Sequence, residues 1–252
     1  MKFVKMEGLG NDFVVVDGPA AITPEDVVRW CDRHRGIGAD GVLEVTPVDD
    51  ATVRMRYWNA DGGIAEMCGN GVRCVARLSV DRGYVSTRDF KVESSIGKLP
   101  VHVRDSGVVR AMIGHPTWVN RSQMVDGHEF RSVDIGNPHA ISFLEDVSDD
   151  LVASVGPAVE TDRMYPTGTN VEFAKILSPD RIALRVWERG VGETQACGTG
   201  AAATAYLSFQ LGHTHARIVV DLPGGPLVVS LESGDAWIEG DANVVYTGTW
   251  PD

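Results

Sequence analysis

Two Cys-Gly-X-Gly sequences, Cys68-Gly69-Asn70-Gly71 and Cys197-Gly198-Thr199-Gly200, stand 129 residues apart in a chain of 252, and each opens an apolar run of helical character. A thiolate at a helix N-terminus is stabilised by free amides and by the local positive potential, so its pKa is expected to fall toward neutrality. Two such sulfurs, one thiolate and one thiol, could remove a proton from one face of a carbon and return one to the other face. The result is inversion. Gly69, Asn70, Gly198 and Thr199 would supply donors for a carboxylate beside that carbon and for the enediolate that develops on it. A cysteine nucleophile forming an acyl intermediate is the other catalytic reading, and it accounts for one cysteine, not two. Cys31 and Cys74 stand singly in apolar contexts and read as buried filler.

The repeat extends beyond the cysteines. Arg56, Trp58 and Asn59 precede Cys68 by 12, 10 and 9 positions, and Arg185, Trp187 and Glu188 precede Cys197 by the same intervals. Gly10-Asn11 recurs as Gly136-Asn137 at an offset of 126, and Gly97 with Leu99 recurs as Gly225 with Leu227 at 128. A conserved order of offsets points to two copies of one unit. Tandem domains over residues 1–115 and 116–252 are therefore expected, with the last residues able to return to the first domain and the pattern broken at Gly114-His115-Pro116.

Composition narrows the class. A net charge of −12 argues against nucleic acid or an anionic membrane as partner. No apolar run is long enough to span a bilayer, and Met1 to Gly10 is too mixed for a signal peptide, so a cytoplasmic location is expected. Disulfides are not needed at this size. Cys68 and Cys74 are too far apart for a CxxC knuckle and lack a second knuckle or a His cluster, so no metal site is expected. Neither GxGxxG in a strand-turn-helix context nor GxxxxGK[ST] occurs, which removes the usual nucleotide readings.

Short stretches of branched and aromatic residues predict strands at Lys2 to Glu7, Asp12 to Asp17, Val53 to Trp58 and Arg88 to Glu93. The second half repeats the style at Phe130 to Ile135, His139 to Phe143, Val171 to Ile176, Ile182 to Trp187, Arg217 to Asp221 and Pro226 to Leu231. Thr23-Pro24 announces a helix over Glu25 to Arg33. Helices over Gly69 to Asp81 and Gly198 to Gln210 follow the cysteines, and the second of these has no charged residue, as a buried helix requires. The expected fold is α+β: two pseudo-symmetric domains, each a mixed sheet wrapped around a central helix, with an active site in the cleft between them.

Other polar residues fall into matched places. Asn11 and Asn137 follow glycine at strand starts, and the duplication favours a role in the site over turn formation alone. His139, two residues beyond Asn137, could tune a thiol. Asn59 and Glu188 are positional equivalents with different side chains, which would let the site distinguish the two ends of a substrate. Arg189 could pair with a second carboxylate, or with Glu188 or Glu193.

These blocks closely resemble the diaminopimelate epimerase family. The similar segments are Gly8-Leu9-Gly10-Asn11-Asp12-Phe13, Arg33-His34-Arg35-Gly36-Ile37-Gly38-Ala39-Asp40-Gly41, Asn59-Ala60-Asp61-Gly62, and Glu66 through Cys74 around the first cysteine. In the second half they are Gly136-Asn137-Pro138-His139-Ala140, Thr169-Asn170, Glu188 through Gly200, and Leu222-Pro223-Gly224-Gly225. The resemblance implies a pyridoxal-independent isomerase without cofactor or metal, interconverting LL- and meso-diaminopimelate in lysine and peptidoglycan precursor synthesis. It gives Cys68 the role of proton donor and Cys197 that of acceptor, with His139 and Glu188 modulating the thiols. Asn11, Asn59, Asn137, Asn170, Glu188 and Arg189 would contact substrate, and Gly69, Asn70, Gly198 and Thr199 would clasp the reacting carboxylate. A homodimer is also implied. Proline racemase-like enzymes, phenazine-type isomerases and a purely binding protein are the alternatives; the distal recognition set and the two cysteines weigh against them.

Two departures stand out. Gly41 stands where some family members place a substrate-contacting glutamine. Family members also continue into a final strand that returns to the first domain, and Trp250-Pro251-Asp252 is too short to form one.

Overall fold

The computed structural model describes residues 1–65 and 67–251. The chain divides into two compact units, Met1–Met112 with Glu239–Asp252, and Ile113–Ile238. Both follow one plan.

In the first unit β1 (Lys2–Gly8) and β2 (Asn11–Asp17) form an antiparallel hairpin, α1 (Pro24–Cys31) crosses to β3 (Gly41–Asp49) parallel to β2, and β4 (Thr52–Asn59) returns antiparallel. Helix α2 (Gly69–Asp81) then crosses to β5 (Asp89–Ser94), parallel to β4, followed by β6 (Gly97–Val103) and β7 (Val109–Gly114). The strands covered by helices on both faces, β2 and β3, are apolar over most of their buried length, as sheets covered on both sides must be, with Glu44 the buried exception. Val14, Val16, Val42 and Trp58 pack on Val27, Trp30 and Cys31 of α1. On the other face Leu43 meets Gly71 of α2. Helix α1 starts as its sequence dictates: the Thr23 hydroxyl accepts from the Asp26 backbone at 3.2 Å, and the Asp26 carboxylate accepts from the Thr23 backbone at 3.3 Å.

The second unit opens with β8 (Thr117–Val125) and β9 (His128–Asp134), then repeats the plan. Strand β10 (Pro138–Phe143) is antiparallel to β9, α3 (Asp149–Glu160) crosses to parallel β11 (Asn170–Ser178), and β12 (Arg181–Glu188) returns antiparallel. The short β13 (Gly192–Thr194) pairs with β12 and leads into α4 (Gly198–Gln210). Beyond it come β14 (Arg217–Leu222), parallel to β12, then β15 (Gly225–Glu232) and β16 (Asp235–Gly240). Val152, Val155 and Val159 of α3 cover one face with Phe130 and Phe173, while Ala203 and Leu207 of α4 cover the other with Val133 and Ile141. Helix α4 is buried nearly all round, and its alanines let the surrounding strands approach closely.

Helix α3 is absent from the sequence-based elements. Ser148 caps it, its hydroxyl accepting from Leu151 N at 3.2 Å, but Gly156-Pro157 interrupts the helical signature. Glycine is needed there, because a Cβ on Gly156 would lie 2.8 Å from the Trp187 ring.

The expectation of a missing final strand is corrected. Strand β17 (Asn243–Thr249) forms ahead of the last residues and pairs antiparallel with β1 from Lys2↔Thr249 to Glu7↔Asn243. It does for β1 what β8 does for the matched strand β9, which is why Glu239–Asp252 belongs to the first unit. Among the described residues no helix is long and apolar enough to cross a membrane.

Candidate active site

The turn into β2 begins with Gly10 at φ +80°, and the turn into β10 with Gly136 at φ +99°, conformations that favour glycine. Each places an asparagine beside the following chain. Cys68 and Cys197 are the N-cap residues of α2 and α4, both in extended backbone conformation, with Gly69-Asn70-Gly71 and Gly198-Thr199-Gly200 forming the first turns. Asn59 and Glu188 are the last residues of the matched strands β4 and β12. Glu66, part of the motif before Cys68, lies outside the described residues.

In the first unit Asn11, Cys68 and Asn70 come together. Asn11 Oδ1 accepts from Cys68 Sγ at 3.4 Å and from Asn70 Nδ2 at 3.2 Å, while Asn11 Nδ2 donates to Asp40 Oδ2 at 2.9 Å. Asp40 cannot donate as a carboxylate, so this contact fixes which end of the Asn11 amide faces the sulfur. Behind it lies an ion-pair network. Arg33 bridges Asp12, at 2.8 and 3.1 Å, and Asp40, at 2.6 Å, and buried Lys5 reaches Asp12 at 2.6 Å and the Gly38 carbonyl. Burial alone would raise the Asp12 pKa, but the hydrogen bonds from Arg33 and Lys5 and the Lys5 charge more than offset it, holding the carboxyl at about 2.

A folded-state pKa depressed from 3.8 to about 2 contributes stability above pH 4 that is lost as the pH falls through 2. That amounts to roughly 2 kcal/mol. Urea midpoints measured from pH 6 to 2 should show Asp12→Asn less stable than the parent at pH 6, with the gap closing below pH 4; a gap independent of pH would count against this network as its cause.

The second unit gathers more of the expected residues. His139 Nδ1 meets Glu172 Oε1 at 2.6 Å and His139 Nε2 meets Asn137 Oδ1 at 3.0 Å. Asn137 Nδ2 donates to Thr199 Oγ1 at 3.5 Å, and Thr199 Oγ1 lies 3.4 Å from Cys197 Sγ. The Gly200 backbone N–H donates to the same sulfur at 3.4 Å. The Glu188 carboxyl also hydrogen-bonds Cys197 and takes the Thr194 hydroxyl at 2.5 Å. Asn170 is occupied by backbone: its Nδ2 donates to the Pro138 carbonyl at 3.2 Å and its Oδ1 accepts from Arg189 N at 3.0 Å, tying the start of β10 to the end of β12. Arg189 forms no ion pair with Glu188 or Glu193, since Glu193 is taken by Arg185 at 2.7 Å.

The surroundings of Cys197 correct the expected fall in thiol pKa. Burial, then the Glu188 and Glu172 carboxylates, push it well above its ordinary value, and the Thr199 and Gly200 donors only partly oppose them. Burial likewise raises the pKa of Glu172 and of Glu188. The other cysteines are also free thiols. Cys31 is buried and pushed up to about 12 by desolvation, and Cys74 is fully buried and raised further.

Several neighbours of the site carry little signal in the sequence. Asp40 lies within a family-like block, and the sequence gives it no role of its own. Arg73 is fully buried in α2, donating to the Gly69 carbonyl at 3.4 Å, and Glu172 is fully buried beside His139. Glu172 had a signal: the repeat offset of 129 aligns it with Leu43, a carboxyl against a hydrocarbon.

These features define a class, a two-unit α+β fold with a cysteine capping each central helix. Solved structures share the fold, among them a probable proline racemase from Agrobacterium radiobacter, at TM-score 0.76 and 15% identity over 99% of this chain and 92% of that one. A phenazine biosynthesis protein of the PhzF family from Bacillus anthracis matches at TM-score 0.71 and 16% identity, over 98% of each chain. The chain belongs to the diaminopimelate epimerase family, whose model matches residues 3–119 and 131–249. The diaminopimelate epimerase of Heliobacterium modesticaldum is 40% identical across the whole of both chains. The chloroplastic diaminopimelate epimerase of Oryza sativa subsp. japonica is 37% identical over 98% of this chain and 77% of that protein.

Proposed function

We propose that this protein epimerises LL-2,6-diaminopimelate to the meso form by a two-cysteine, cofactor-independent mechanism, in a cytoplasmic homodimer. Family membership across nearly the whole chain carries the reading, and the matched N-cap positions of Cys68 and Cys197 support its chemistry. The mechanism requires the two sulfurs to address opposite faces of one α carbon. For LL-diaminopimelate, Cys197 takes the α proton as acceptor and Cys68 gives one as donor; the reverse reaction exchanges the roles.

An α proton beside a carboxylate is weakly acidic, so most of the barrier must be lowered by stabilising the enediolate. The first-turn amides of α2 and α4, at Gly69, Asn70, Gly198 and Thr199, are suited to that anion because their N–H groups have no intrahelical partner. His139 and Glu188 adjust the sulfur, the first through Asn137 and Thr199 and the second directly. Asn11, Asn59, Asn137, Asn170, Glu188 and Arg189 bind substrate, with Arg189 taking the distal carboxylate.

Incubation of the pyridoxal-free protein with LL-diaminopimelate in deuterated water tests this. Meso product carrying one α-deuterium at the inverted centre is expected. Deuterium-free product, or turnover only after pyridoxal phosphate is added, would refute the mechanism.

A further inference from the structure

The internal repeat makes each unit a control for the other. His139 and Glu172 occupy places that Phe13 and Leu43 hold in the first unit: β10 pairs with β11 through His139↔Asn170, and β2 with β3 through Phe13↔Gly41. The helix glycines agree with that alignment. A Cβ on Gly71 would meet Leu43 at 3.1 Å and Cys68 Cβ at 3.6 Å, whereas one on Gly200 would meet Glu172 Oε1 at 2.7 Å and Cys197 Sγ at 3.4 Å. The space beneath the first turn of the central helix is therefore hydrocarbon in one unit and a carboxyl with an imidazole in the other. Both polar groups are fully buried, and Glu172 Oε2 has no hydrogen-bond partner among the described residues. Phe13 and Leu43 show that apolar side chains fill this place, so stability does not account for the pair.

We infer that Glu172 is a positioning residue for Cys197, holding with His139 the proton that turns the Asn137 amide and the Thr199 hydroxyl toward the sulfur as donors. The polarity follows link by link. A proton shared between Glu172 Oε1 and His139 Nδ1 leaves Nε2 as an N–H, which donates to Asn137 Oδ1. Asn137 Nδ2 then donates to Thr199 Oγ1, whose own hydrogen points to Cys197 Sγ. With the Gly200 N–H, the thiolate of Cys197 receives two hydrogen bonds.

Loss of the shared proton would let every link reverse, leaving Thr199 Oγ1 as an acceptor suited to the thiol. Burial opposes that loss, because it would leave the pair with a net negative charge, and it is this charge on Glu172 that raises the Cys197 pKa; with the proton held, the pair is neutral toward the sulfur. Glu188, at the end of β12, is the other titratable group at the sulfur and is not part of this chain. The first unit is wired the opposite way. Asp40 takes Asn11 Nδ2, so Asn11 offers Cys68 only an acceptor, which suits a thiol. Matched asparagines thus hold their amides in opposite senses, one for a sulfur that gives a proton and one for a sulfur that takes it.

The inference rests on the proposed function only in treating Cys197 as a reacting sulfur, so its test does not use turnover. In Cys68→Ala protein, the rate of Cys197 alkylation by iodoacetamide is followed at fixed pH by peptide mass, and the His139 ring is followed by nitrogen NMR. The parent should show one tautomer, protonated at Nε2. Glu172→Leu should lose that preference and slow Cys197 alkylation roughly tenfold or more. Thr199→Val should slow it by the same factor, and the double variant no further, because both break one chain. Glu172→Gln should keep the parent rate, since a carboxamide N–H donating to Nδ1 preserves the polarity; this variant and Thr199→Val serve if the leucine variant does not fold. Faster alkylation in Glu172→Leu, additive losses or an unchanged tautomer would overturn the inference. Absence of epimerase activity in the parent protein would instead refute the proposed function and leave these readouts intact.

Discussion

Cys68→Ala and Cys197→Ala should each abolish epimerisation of diaminopimelate, lowering kcat by at least about a thousandfold, while Cys31→Ala should leave it within about twofold, as expected for a residue outside the proposed general acid-base pair. Inversion needs a group on each face of the carbon, and water is a poor substitute for either at neutral pH. The loss should be equal in both directions, since in the proposed mechanism every turnover uses both sulfurs. Cys31 provides a sharp contrast because it differs in surroundings, not in chemistry: it packs with Val27 and Trp30 under α1, and desolvation keeps it protonated. Conversion of LL to meso substrate, followed by chiral chromatography, is the measurement. Residual turnover near the parent rate in either alanine variant would remove the two-base mechanism, and loss in Cys31→Ala would show that α1 shapes the site.

The second large effect is expected at Arg189. It makes no ion pair among the described residues; its Nη1 reaches only the Thr167 carbonyl, at 3.5 Å, and its aliphatic stem lies over Gly168, where a Cβ would come within 3.0 Å. Its backbone is anchored by Asn170, so the guanidinium is held in place yet uncommitted. A charge-assisted, bidentate contact to the distal carboxylate is worth about 3 kcal/mol, so Arg189→Ala should lower kcat/KM about a hundredfold. The distal centre does not react, and its contacts are alike in the bound substrate and the transition state, so the loss should fall mainly on KM. Arg189→Lys keeps the charge without the planar fork and should recover only part of it. A KM unchanged in Arg189→Ala would assign the distal carboxylate to other residues.

Legibility varied with the range of the cause. The helices after Cys68 and Cys197 are readable because capping, glycine spacing and an uninterrupted apolar pattern act within a dozen residues. Strand β17 is not, since nothing in Asn243–Thr249 specifies β1 as its partner; only the open edge of β1, left without the counterpart that β8 gives β9, selects that pairing. Helix α3 was obscured because Gly156 answers to Trp187, a residue 31 positions away. The sulfur environments show the same division. Each cysteine's place at a helix start is local, but the carboxylates that raise the Cys197 pKa come from β11 and β12.

The amino-acid sequence by itself determined the duplication, the two capping cysteines and the membership of their neighbours in matched sets, because repetition and capping are properties of order along the chain. The tertiary structure alone decided which end of each asparagine faces its sulfur. Asn11 and Asn137 are the same residue in the same turn, and a side-chain amide has no intrinsic preference between its two ends. Asp40 on one side, and the buried Glu172 and His139 on the other, supply that preference by contacts between strands far apart in sequence.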